Sequence, residues 1–510
     1  MLDAPETDAA DPRDLGSPLR PAAGTVSQMF ETIPIAERTI AAMWAQALDG
    51  DRSRVFITFE DGRPWSYDDL DAMVARWRAT FADLGVGPGD RLALLLPNCV
   101  EYVAAFFAAG TSGAIMVPLN GNTLGRSLEY ALADSKAKAL VTTTELAERF
   151  DAAWELPELG AVVLIDAETD QAGTSPAVIG FAGRTGAAPA ITPAPTDVAA
   201  ILYTSGTTGP PKGAVVTQEY YRFCAWSYAY YFGYTPDDVL FTVLPMFHAN
   251  AQCSTLLAAL VAGAQVAMHR KFSASRFWQE IHDTGATHFA AMGTMGNILM
   301  RRPASEFVPG HRLRTCQIVP APEPLDAFEQ RFGVPVLYEM FGMTEGGFLL
   351  ASHRPGFGSG RMGDNTPYHD VRIHDADGRE VPRGAVGEIV VRPHLPGLMF
   401  REYWNNPAAT AEATRDLWFH TGDLGRQDDE GSYWYEGRLK DVIRRKGENI
   451  APHEIERELL AHPAVKDVAA IGVPSELGEE EVMAFVATGT GPRPAAEELH
   501  AWCEIGRAHV

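Results

Sequence analysis

The sequence predicts an α/β fold of more than one domain, and three observations support this prediction. The chain has 510 residues, which is more than one hydrophobic core usually organises. Short apolar runs alternate with helix-length segments over most of the chain, a pattern typical of parallel sheets covered by helices. Beyond Met362 the pattern changes to hairpins, and a small unit of helix and strands begins at Gly437.

These changes of pattern divide the chain into three parts. Residues 1–27 are rich in Pro, Asp and Ala, lack periodicity and are expected to be mobile. Residues 28–436 are expected to form a large N-terminal domain of stacked, mostly parallel sheets with helices and a small β-barrel-like part. Residues 437–510 are expected to form a small α+β C-terminal domain.

Each predicted element rests on a short stretch of sequence. Helices are predicted for VEYVAAFFAAG from Val100 and for APHEIERELLAHP, which has Pro452 near its start. The hairpin VRIHDADGREV is predicted to turn at Asp377–Gly378. The remaining apolar runs predict strands at RLALLL, AIMVPL, KALVTT, AVVLI, VAAILY, DVLFTVL, AQVAM, HFAAM, CQIV, PVLYEMF, GEIVVR, YWYEGR, VKDVAAIGV and EVMAFVAT.

The charge balance and the cysteines indicate which partners and which cellular compartment to expect. Acidic residues outnumber basic ones by 66 to 42, and the net charge of −24 argues against nucleic acid or an anionic membrane as a main partner. The five cysteines have no zinc-like spacing, and we expect them to be reduced in a cytoplasmic protein without a signal peptide. The apolar stretch from Tyr102 is interrupted at Gly110–Gly113 and predicts buried elements rather than a membrane span.

The loop YTSGTTGPPKG, from Tyr203 to Gly213, follows one of the predicted strands. Its glycines let the backbone approach a ligand closely, and its hydroxyls and backbone N–H groups are donors for phosphate oxygens. Lys212 adds a positive charge, but the spacing is not that of a Walker loop. The alternative is a surface turn, since Gly, Ser, Thr and Pro are ordinary turn residues.

Three further strings carry residues suited to nucleotide chemistry. In YEMFGMTEGG, Phe341 could stack on a purine, Thr344 could donate to a phosphate oxygen and Glu345 could hold Mg²⁺. In WFHTGDLG, Asp423 could accept ribose hydroxyls, and in GRLKDVIRRKGEN, Arg438 could reach ribose or phosphate. The alternatives are a strand-to-loop turn, an Asx-turn and a solvated basic hairpin, respectively.

The four strings, in this order and at this spacing, resemble the adenylate-forming superfamily of acyl-CoA synthetases, luciferases and peptide-synthetase adenylation domains. The resemblance covers roughly residues 30–490. The strings PMFHANAQ, FSASRFWQEI and FREYWNNPAAT look most like bacterial crotonobetaine/carnitine-CoA ligases. The resemblance implies a large ATP- and acid-binding domain and a small C-terminal lid that rotates between two half-reactions.

The resemblance also implies a role for each matching residue. Lys440 would be the hinge of the lid, and Glu345 would bind Mg²⁺. Residues that would act in catalysis are Lys212, His248, Thr344 and Glu345, with His248 in a gating or positioning role. Residues that would bind ATP are Thr204, Ser205, Gly206, Thr207, Thr208, Gly209, Glu339, Met340, Phe341, Asp423 and Arg438. Residues that would face the thiol channel are Gly447, Glu448 and Asn449.

The implied activity is that of an ATP-dependent acyl-CoA ligase with ATP, Mg²⁺ and CoA as cofactors and a small carboxylic acid as substrate. The acid would be activated as an acyl-adenylate with release of pyrophosphate, and CoA would then take the acyl group with release of AMP. One alternative delivers the acyl group to a carrier-protein phosphopantetheine. The other is a nucleotide-binding protein with a non-functional lid. The oligomeric state is left open between a monomer and a homodimer.

The sequence departs from the superfamily pattern in two places. No lysine follows Lys466, although the superfamily has one near its C-terminus that contacts the carboxylate and the α-phosphate, so the lid is expected to be incomplete and adenylation slow. The segment VPAPEPL from Val319 stands where a Gly-Gly-Ala-Pro turn is usual near adenine.

The acyl pocket is expected after His248, around FAAMGTMGN from Phe289 and near Pro320, and these segments contain no Lys or Arg that could pair with a second carboxylate. Small residues, Ala290, Ala291 and Gly293, are expected to leave room for the acid. A trimethylammonium acid would want an aromatic cage, and a medium-chain or aryl acid is the alternative. Candidates for such a cage are Trp226, Tyr228, Tyr230 and Tyr231.

Overall fold

The structure is a computed structural model of the chain. It describes residues 29–150, 154–171, 174–204, 210–322, 324–337, 339–351, 360–445, 448–450, 452–474, 480–489 and 492–507. The segment predicted to be mobile lies outside the described residues. The chain forms two compact units: unit 1 comprises Met1–Ser359 and Leu395–Thr410, and unit 2 comprises Gly360–His394 and Ala411–Val510. Unit 1 is therefore built from two separate stretches of sequence.

Helices are distributed along the whole described chain. The α-helices are α1 Ile40–Leu48, α2 Tyr67–Asp83, α3 Val100–Ser112, α4 Gly125–Ser135, α5 Thr144–Ala147, α6 Gln218–Tyr231, α7 Ala258–Ala262, α8 Phe277–Thr284, α9 Gly293–Arg301, α10 Leu325–Phe332, α11 Pro407–Ala413, α12 Pro452–Leu460 and α13 Ala496–Arg507. A π-helix forms at Ala251–Leu257, and short 3₁₀ helices form at Phe30–Thr32, Ile35–Glu37, Ala304–Glu306, Arg415–Leu417 and Leu439–Asp441.

The first strands, in unit 1, are β1 Val55–Phe59, β2 Pro64–Ser66, β3 Arg91–Leu95, β4 Ile115–Pro118, β5 Ala139–Thr142, β6 Ala161–Leu164, β7 Ala177–Gly180, β8 Val198–Thr204, β9 Lys212–Thr217, β10 Val239–Thr242, β11 Gln265–Met268, β12 His288–Met292, β13 Thr315–Val319, β14 Val336–Leu337, β15 Met340–Met343 and β16 Gly347–Ala351. The later strands are β17 Arg361–Asn365, β18 His369–His374, β19 Gly387–Pro393, β20 Glu402–Tyr403, β21 Phe419–Gln427, β22 Tyr433–Arg438, β23 Ile443–Arg445, β24 Glu448–Ile450, β25 Val465–Pro474 and β26 Glu480–Thr488.

Unit 1 contains two large, mostly parallel sheets, as predicted. One has the strand order β20-β9-β8-β4-β3-β5-β6-β7. Strand β9 pairs antiparallel with both of its neighbours, β8 and β20, and every other pair of neighbouring strands in this sheet is parallel. The other has the order β14-β13-β12-β10-β11-β1-β2, in which β2 alone among the described strands is antiparallel to its neighbour. Ligands of such sheets usually lie at the carboxyl ends of the strands, where β8 leads into the glycine-rich loop.

The central strands and helices are apolar on all sides because other layers cover them. Strands β4, β5 and β6 are buried along their whole length, as is usual for parallel strands between helices. Helix α3 is buried from Tyr102 to Thr111 and is capped at its C-terminus by Gly113, which has a φ of 72°. The apolar stretch is therefore a core helix followed by a strand. Within the described residues, no helix is both long and apolar enough to cross a membrane.

Unit 2 contains an antiparallel sheet and a small helix-and-strand part. Strands β17, β22, β21, β19 and β18 pair in that order, and this open sheet stands where a β-barrel-like part was predicted. The predicted turn is present, since the N–H of Gly378 donates to Asp375 O at 3.1 Å. Helix α12 begins at Pro452, and β25 and β26 pair along ten and nine residues, respectively.

Candidate active site

The glycine-rich loop is framed by an antiparallel hairpin. Strands β8 and β9 pair from Val198 opposite Thr217 to Thr204 opposite Lys212, so the two ends of the loop lie side by side. The remaining candidates of this loop, Ser205, Gly206, Thr207, Thr208 and Gly209, lie outside the described residues. Inside the hairpin, a Cβ atom on Gly213 would stand 2.6 Å from the Ile201 side chain. The sequence PPKG thus ends at a position where only glycine fits without a rearrangement.

Glu345 lies beside this hairpin with its carboxylate turned toward hydroxyl groups. The residue is 6% exposed. The Tyr403 hydroxyl donates to its Oε1 atom at 2.9 Å, and the Thr204 hydroxyl lies 3.4 Å from the same oxygen. No ion pair to Glu345 is found within the described residues. A buried carboxylate whose neighbours are neutral donors keeps its capacity to attract a cation.

Tyr403 reaches this position through long-range pairing of β20 with β9, in which Tyr403 stands opposite Ala214. Burial first, and then the negative charge of Glu345, raise the pKa of the Tyr403 phenol, so the hydroxyl stays a donor at physiological pH. The Lys212 Nζ atom lies 5.1 Å from the centre of the Tyr403 ring, within the range of a cation–π contact. Tyr403 is a candidate that the sequence prediction missed, although it lies in the string FREYWNNPAAT.

The second predicted string forms the hairpin of β15 and β16. Glu339 and Met340 are buried, and Phe341 is half-buried. The stretch predicted as one strand, PVLYEMF, contains β14 and the start of β15, and β15 continues through Gly342. A Cβ atom on Gly342 would stand 2.3 Å from Gly347 O, so the two strands approach too closely for any side chain. The Tyr220 hydroxyl donates to the carbonyl oxygen of Thr344 at 2.8 Å and fixes the turn next to Glu345.

His248 lies in a turn after β10, where its backbone N–H donates to Pro245 O at 3.1 Å. Its side chain is exposed at the surface, but the protein atoms around the ring desolvate it and lower the pKa of the imidazole. The ring is therefore neutral near pH 7. The π-helix Ala251–Leu257 follows directly, and π-helical turns are frequent at functional sites.

Unit 2 contains the other predicted carboxylate. Asp423 is 5% exposed and stands opposite Arg438 in the pairing of β21 with β22. The Arg438 Nε atom lies 3.2 Å from Asp423 Oδ1. Desolvation alone would lower the pKa of the guanidinium, but the carboxylate of Asp423 and the hydroxyl of Tyr435 together raise it. The sequence strings WFHTGDLG and GRLKD are thus brought together by one antiparallel register.

The expected hinge and thiol-channel residues follow β22. Lys440 is exposed in the 3₁₀ turn Leu439–Asp441, with its Nζ atom 3.9 Å from Asp441 Oδ1. Gly447 lies outside the described residues. The backbone of Glu448 and Asn449 forms β24, which pairs with β23. Their assigned roles stay predictions.

The small residues expected to leave room for an acid differ in how closely other atoms pack around them. Ala290 and Ala291 are buried in β12. Gly293 leaves no free space, because a Cβ atom there would stand 2.6 Å from Pro320 O. The glycine is required by the packing of α9 against that segment.

The aromatic side chains expected to cage a trimethylammonium group pack against one another in helix α6. Trp226 stacks on Tyr230 with ring centres 4.9 Å apart, and Tyr231 stacks on Phe348 at 5.0 Å. Tyr228 contacts the edge of the same Phe348 ring at 5.1 Å. These contacts account for the aromatic pattern of α6 through core packing.

Comparison with known proteins assigns the class. The AMP-binding enzyme model matches residues 44–404, and the AMP-binding enzyme C-terminal domain model matches residues 454–510. Crotonobetaine/carnitine–CoA ligase of Salmonella paratyphi A is 32% identical over 491 residues, which cover 93% of this chain and 94% of that protein. The two sheets, the framed loop and the sequence similarity define an AMP-forming acid–thiol ligase of the adenylate-forming superfamily. The chain belongs to the AMP-binding enzyme family, and the predicted resemblance is confirmed.

Solved structures agree with this assignment. ATP-bound MatB from Rhodopseudomonas palustris has a TM-score of 0.80 and 27% identity, and the alignment covers 91% of this chain and 92% of MatB. The fatty acyl CoA synthetase of Mycobacterium tuberculosis has a TM-score of 0.73 and 27% identity, with 92% of each chain covered. The predicted fold class is therefore confirmed.

Proposed function

We propose that this protein is an ATP-dependent acyl-CoA ligase that makes an acyl-adenylate and then transfers the acyl group to CoA. The observation that carries the proposal is the group formed by Thr204, Lys212, Glu345 and Tyr403 at the end of β8. It combines one cation, one buried carboxylate and two hydroxyls at the end of a hairpin. Such a set suits a triphosphate with a divalent cation.

In the first half-reaction a carboxylate oxygen of the acid attacks the α-phosphorus of ATP, and the bond to the pyrophosphate oxygen breaks. Lys212 would offset negative charge on the phosphates, and Thr204 would donate a hydrogen bond to one of their oxygens. Glu345, oriented by the Tyr403 hydroxyl, would hold Mg²⁺. When bound, the metal would supply positive charge at the phosphate oxygens.

In the second half-reaction the thiol sulfur of CoA attacks the carbonyl carbon of the acyl-adenylate. The bond between that carbon and the phosphate oxygen breaks, AMP leaves and the thiol proton is released. Neither step needs a covalent bond to the protein, so the side chains act by positioning and charge. A neutral His248, with its lowered pKa, would suit a positioning role at the acid side.

Asp423 and Arg438 would bind the nucleoside. A buried carboxylate beside a guanidinium can accept hydrogen bonds from both ribose hydroxyls without leaving an unbalanced charge. Among the segments expected to surround the acid, none contains a Lys or Arg, which supports an acid with a single carboxylate. The Salmonella relative is named for crotonobetaine and carnitine, which makes short zwitterionic acids the first candidates, followed by medium-chain and aryl acids.

The proposal is tested by measuring pyrophosphate release from ATP with Mg²⁺ and a panel of these acids, each with and without CoA. Acyl-CoA and AMP are quantified by chromatography in the same reactions. We expect one class of acid to give CoA-dependent turnover. ATP binding without pyrophosphate release for every acid would instead support a nucleotide-binding protein.

The second candidate acceptor is the phosphopantetheine of a carrier protein, because the same adenylate can be attacked by that thiol. Both acceptors are compared with the acid that gives turnover. If carrier-protein phosphopantetheine discharges the adenylate and CoA does not, the CoA ligase assignment is wrong.

A further inference from the structure

A second feature of unit 1 lies away from the group around Glu345. A cavity of about 360 Å³ opens between helices α1 and α7, the start of α2 and the Arg222 side chain of α6. Met43, Ala47 and Leu260 form apolar parts of its wall, while Arg54, Tyr67 and Arg222 contribute polar groups. Its volume lies within the usual range for small-molecule sites.

Arg222 differs from the other buried arginines of the described residues. Arg38 donates from all three guanidinium nitrogens, to Ile33 O, Glu219 Oε1 and Glu31 O. Arg78 donates to Ala188 O and to the Thr111 hydroxyl. Arg222 is 8% exposed, but its Nε and Nη1 atoms are buried and have no hydrogen-bond partner. Arg222 is also one of the residues that line the cavity.

No carboxylate of the described residues forms an ion pair with Arg222. Glu219, three residues before it on α6, is paired with Arg38 at 2.8 Å. Glu37 attracts Arg222 electrostatically, but its Oε2 atom accepts a hydrogen bond from Gln46 at 2.7 Å and no ion pair to Arg222 is formed among the described residues. Burial lowers the pKa of Arg222 to about 10, so the guanidinium is still charged at pH 7. A buried guanidinium whose N–H groups have no hydrogen-bonded counter-ion is unfavourable, and an anion in the cavity would relieve this cost.

The other residues that line the cavity indicate which kind of anion it would bind. Tyr67 stacks on Phe56 at 5.0 Å, and burial raises the pKa of its phenol to about 12, so its hydroxyl is a neutral donor. Among the residues that line the cavity, Asp51 carries one negative charge and Arg54 and Arg222 carry one positive charge each, so the lining has a formal charge of one positive unit. One positive charge, one phenolic donor and apolar walls fit a monoanion with a short alkyl chain.

We propose that this cavity is a binding site for a short-chain monocarboxylate, held by the Arg222 guanidinium with its alkyl part against Met43, Ala47 and Leu260. The site does not depend on the proposed function, because none of its residues belongs to the ATP or acid sites described above. Helix α6 connects it to the active-site turn, since Tyr220 on the same helix bonds to the Thr344 carbonyl.

The test measures binding by titration calorimetry on the full chain, without ATP or CoA and in chloride-free buffer. The probes are butyrate and 1-propanesulfonate, with methanesulfonate as the short-chain comparison. Because ATP is absent, none of the probes can be converted to an acyl-adenylate. We expect both longer probes to bind the unmodified protein and methanesulfonate to bind more weakly. The variant Arg222→Gln is expected to lose binding by about tenfold or more, as for a hydrogen bond to a charged group.

Two controls make the result decisive. Arg52→Gln changes a half-buried arginine that does not line the cavity and that pairs with Asp68 and Asp71, and this variant is expected to bind both probes normally. Ala47→Leu fills the cavity while keeping Arg222, and is expected to lose binding even if Arg222→Gln does not fold. Absence of binding to the unmodified protein, equal binding by Arg222→Gln, or equal binding of methanesulfonate and 1-propanesulfonate would each overturn the assignment.

Discussion

Glu345 and Asp423 are both almost fully buried carboxylates, but their neighbours differ. Glu345, in unit 1, receives hydrogen bonds from neutral hydroxyls, whereas Asp423, in unit 2, faces the guanidinium of Arg438. A carboxylate among neutral donors keeps its net negative charge and suits a cation, while a carboxylate beside a guanidinium suits neutral hydroxyls. Burial alone therefore does not define the ligand of an acidic side chain.

Removing the charge of Glu345 is expected to have the largest effect. Glu345→Gln keeps the size of the side chain but loses the attraction for a cation, and we expect kcat/KM for pyrophosphate release to fall by about a thousandfold. The loss is measured over a range of Mg²⁺ concentrations. Glu402→Gln, an exposed neighbour of Tyr403, is the matched control and is expected to leave kcat/KM unchanged. Full activity of Glu345→Gln would remove the basis of the comparison.

Neutralising Asp423 is expected to act mainly on nucleotide binding. Asp423→Asn weakens hydrogen bonds from ribose and leaves Arg438 without the charge of its partner, so we expect KM for ATP to rise by about tenfold to a hundredfold. Steady-state kinetics with ATP and 2′-deoxy-ATP measure this effect, because the variant should discriminate less between the two nucleotides. Asp429→Asn, on an exposed turn of the same unit, is the control. Unchanged discrimination would exclude a ribose contact.

A smaller effect is expected for the hydroxyl that orients Glu345. Tyr403→Phe removes one neutral hydrogen bond, and we expect kcat to fall by about fivefold while the Mg²⁺ concentration for half-maximal rate rises. The control is Tyr203→Phe, which changes a tyrosine of β8 and removes the hydrogen bond from its hydroxyl to the Asp134 carboxylate. If both variants change the Mg²⁺ dependence equally, Tyr403 has no specific positioning role.

The comparison of the two carboxylates requires a folded protein. The buried His288 of unit 1 contributes to the loss of folding stability at acidic pH. Burial lowers the pKa of His288 from 6.5 to about 3, so the folded state stays neutral at pH values where the unfolded state takes up a proton. His288 thus stabilises the fold less as pH falls below about 6.5, at about 1.4 kcal/mol per pH unit, until the folded pKa is reached. The free energy of unfolding of His288→Asn should depend less steeply on pH between about 6.5 and about 4.

The control for this prediction is His282→Asn, which replaces an exposed imidazole and keeps His288, so the slope of its unfolding free energy against pH should stay steeper than that of His288→Asn. An equal slope for His288→Asn and the unmodified protein would show that the buried imidazole is not neutral in the folded state.

Local patterns predicted most of the fold because they act within one element. The runs at β4 and β5 are continuous and apolar since both faces of these strands are covered, and Pro452 starts α12 because its missing N–H is not needed there. The string PVLYEMF was predicted as one strand, but the structure has two strands there, β14 and β15. Strand β15 extends past the predicted end through Gly342, where the approach of Gly347 requires a glycine.

The candidate site was only partly predictable for a related reason. Glu345 and Asp423 stand out beside glycines in their own strings, whereas Tyr403 depends on a two-residue strand that pairs with β9, far earlier in the chain. A strand of that length has no periodicity to detect. The environment of Arg222 is likewise invisible in sequence, because it depends on Arg38 having taken the carboxylate of Glu219.

The divided sequence of unit 1 bears on how the protein is made. Residues 395–410 complete unit 1 by adding β20 to β9, but the ribosome synthesises them only after residues 360–394 of unit 2. A nascent chain that ends before residue 395 therefore contains every strand of the two large sheets of unit 1 except β20, the strand that contains Tyr403. Completion of the group around Glu345 during translation has to wait until part of the second unit has left the ribosome.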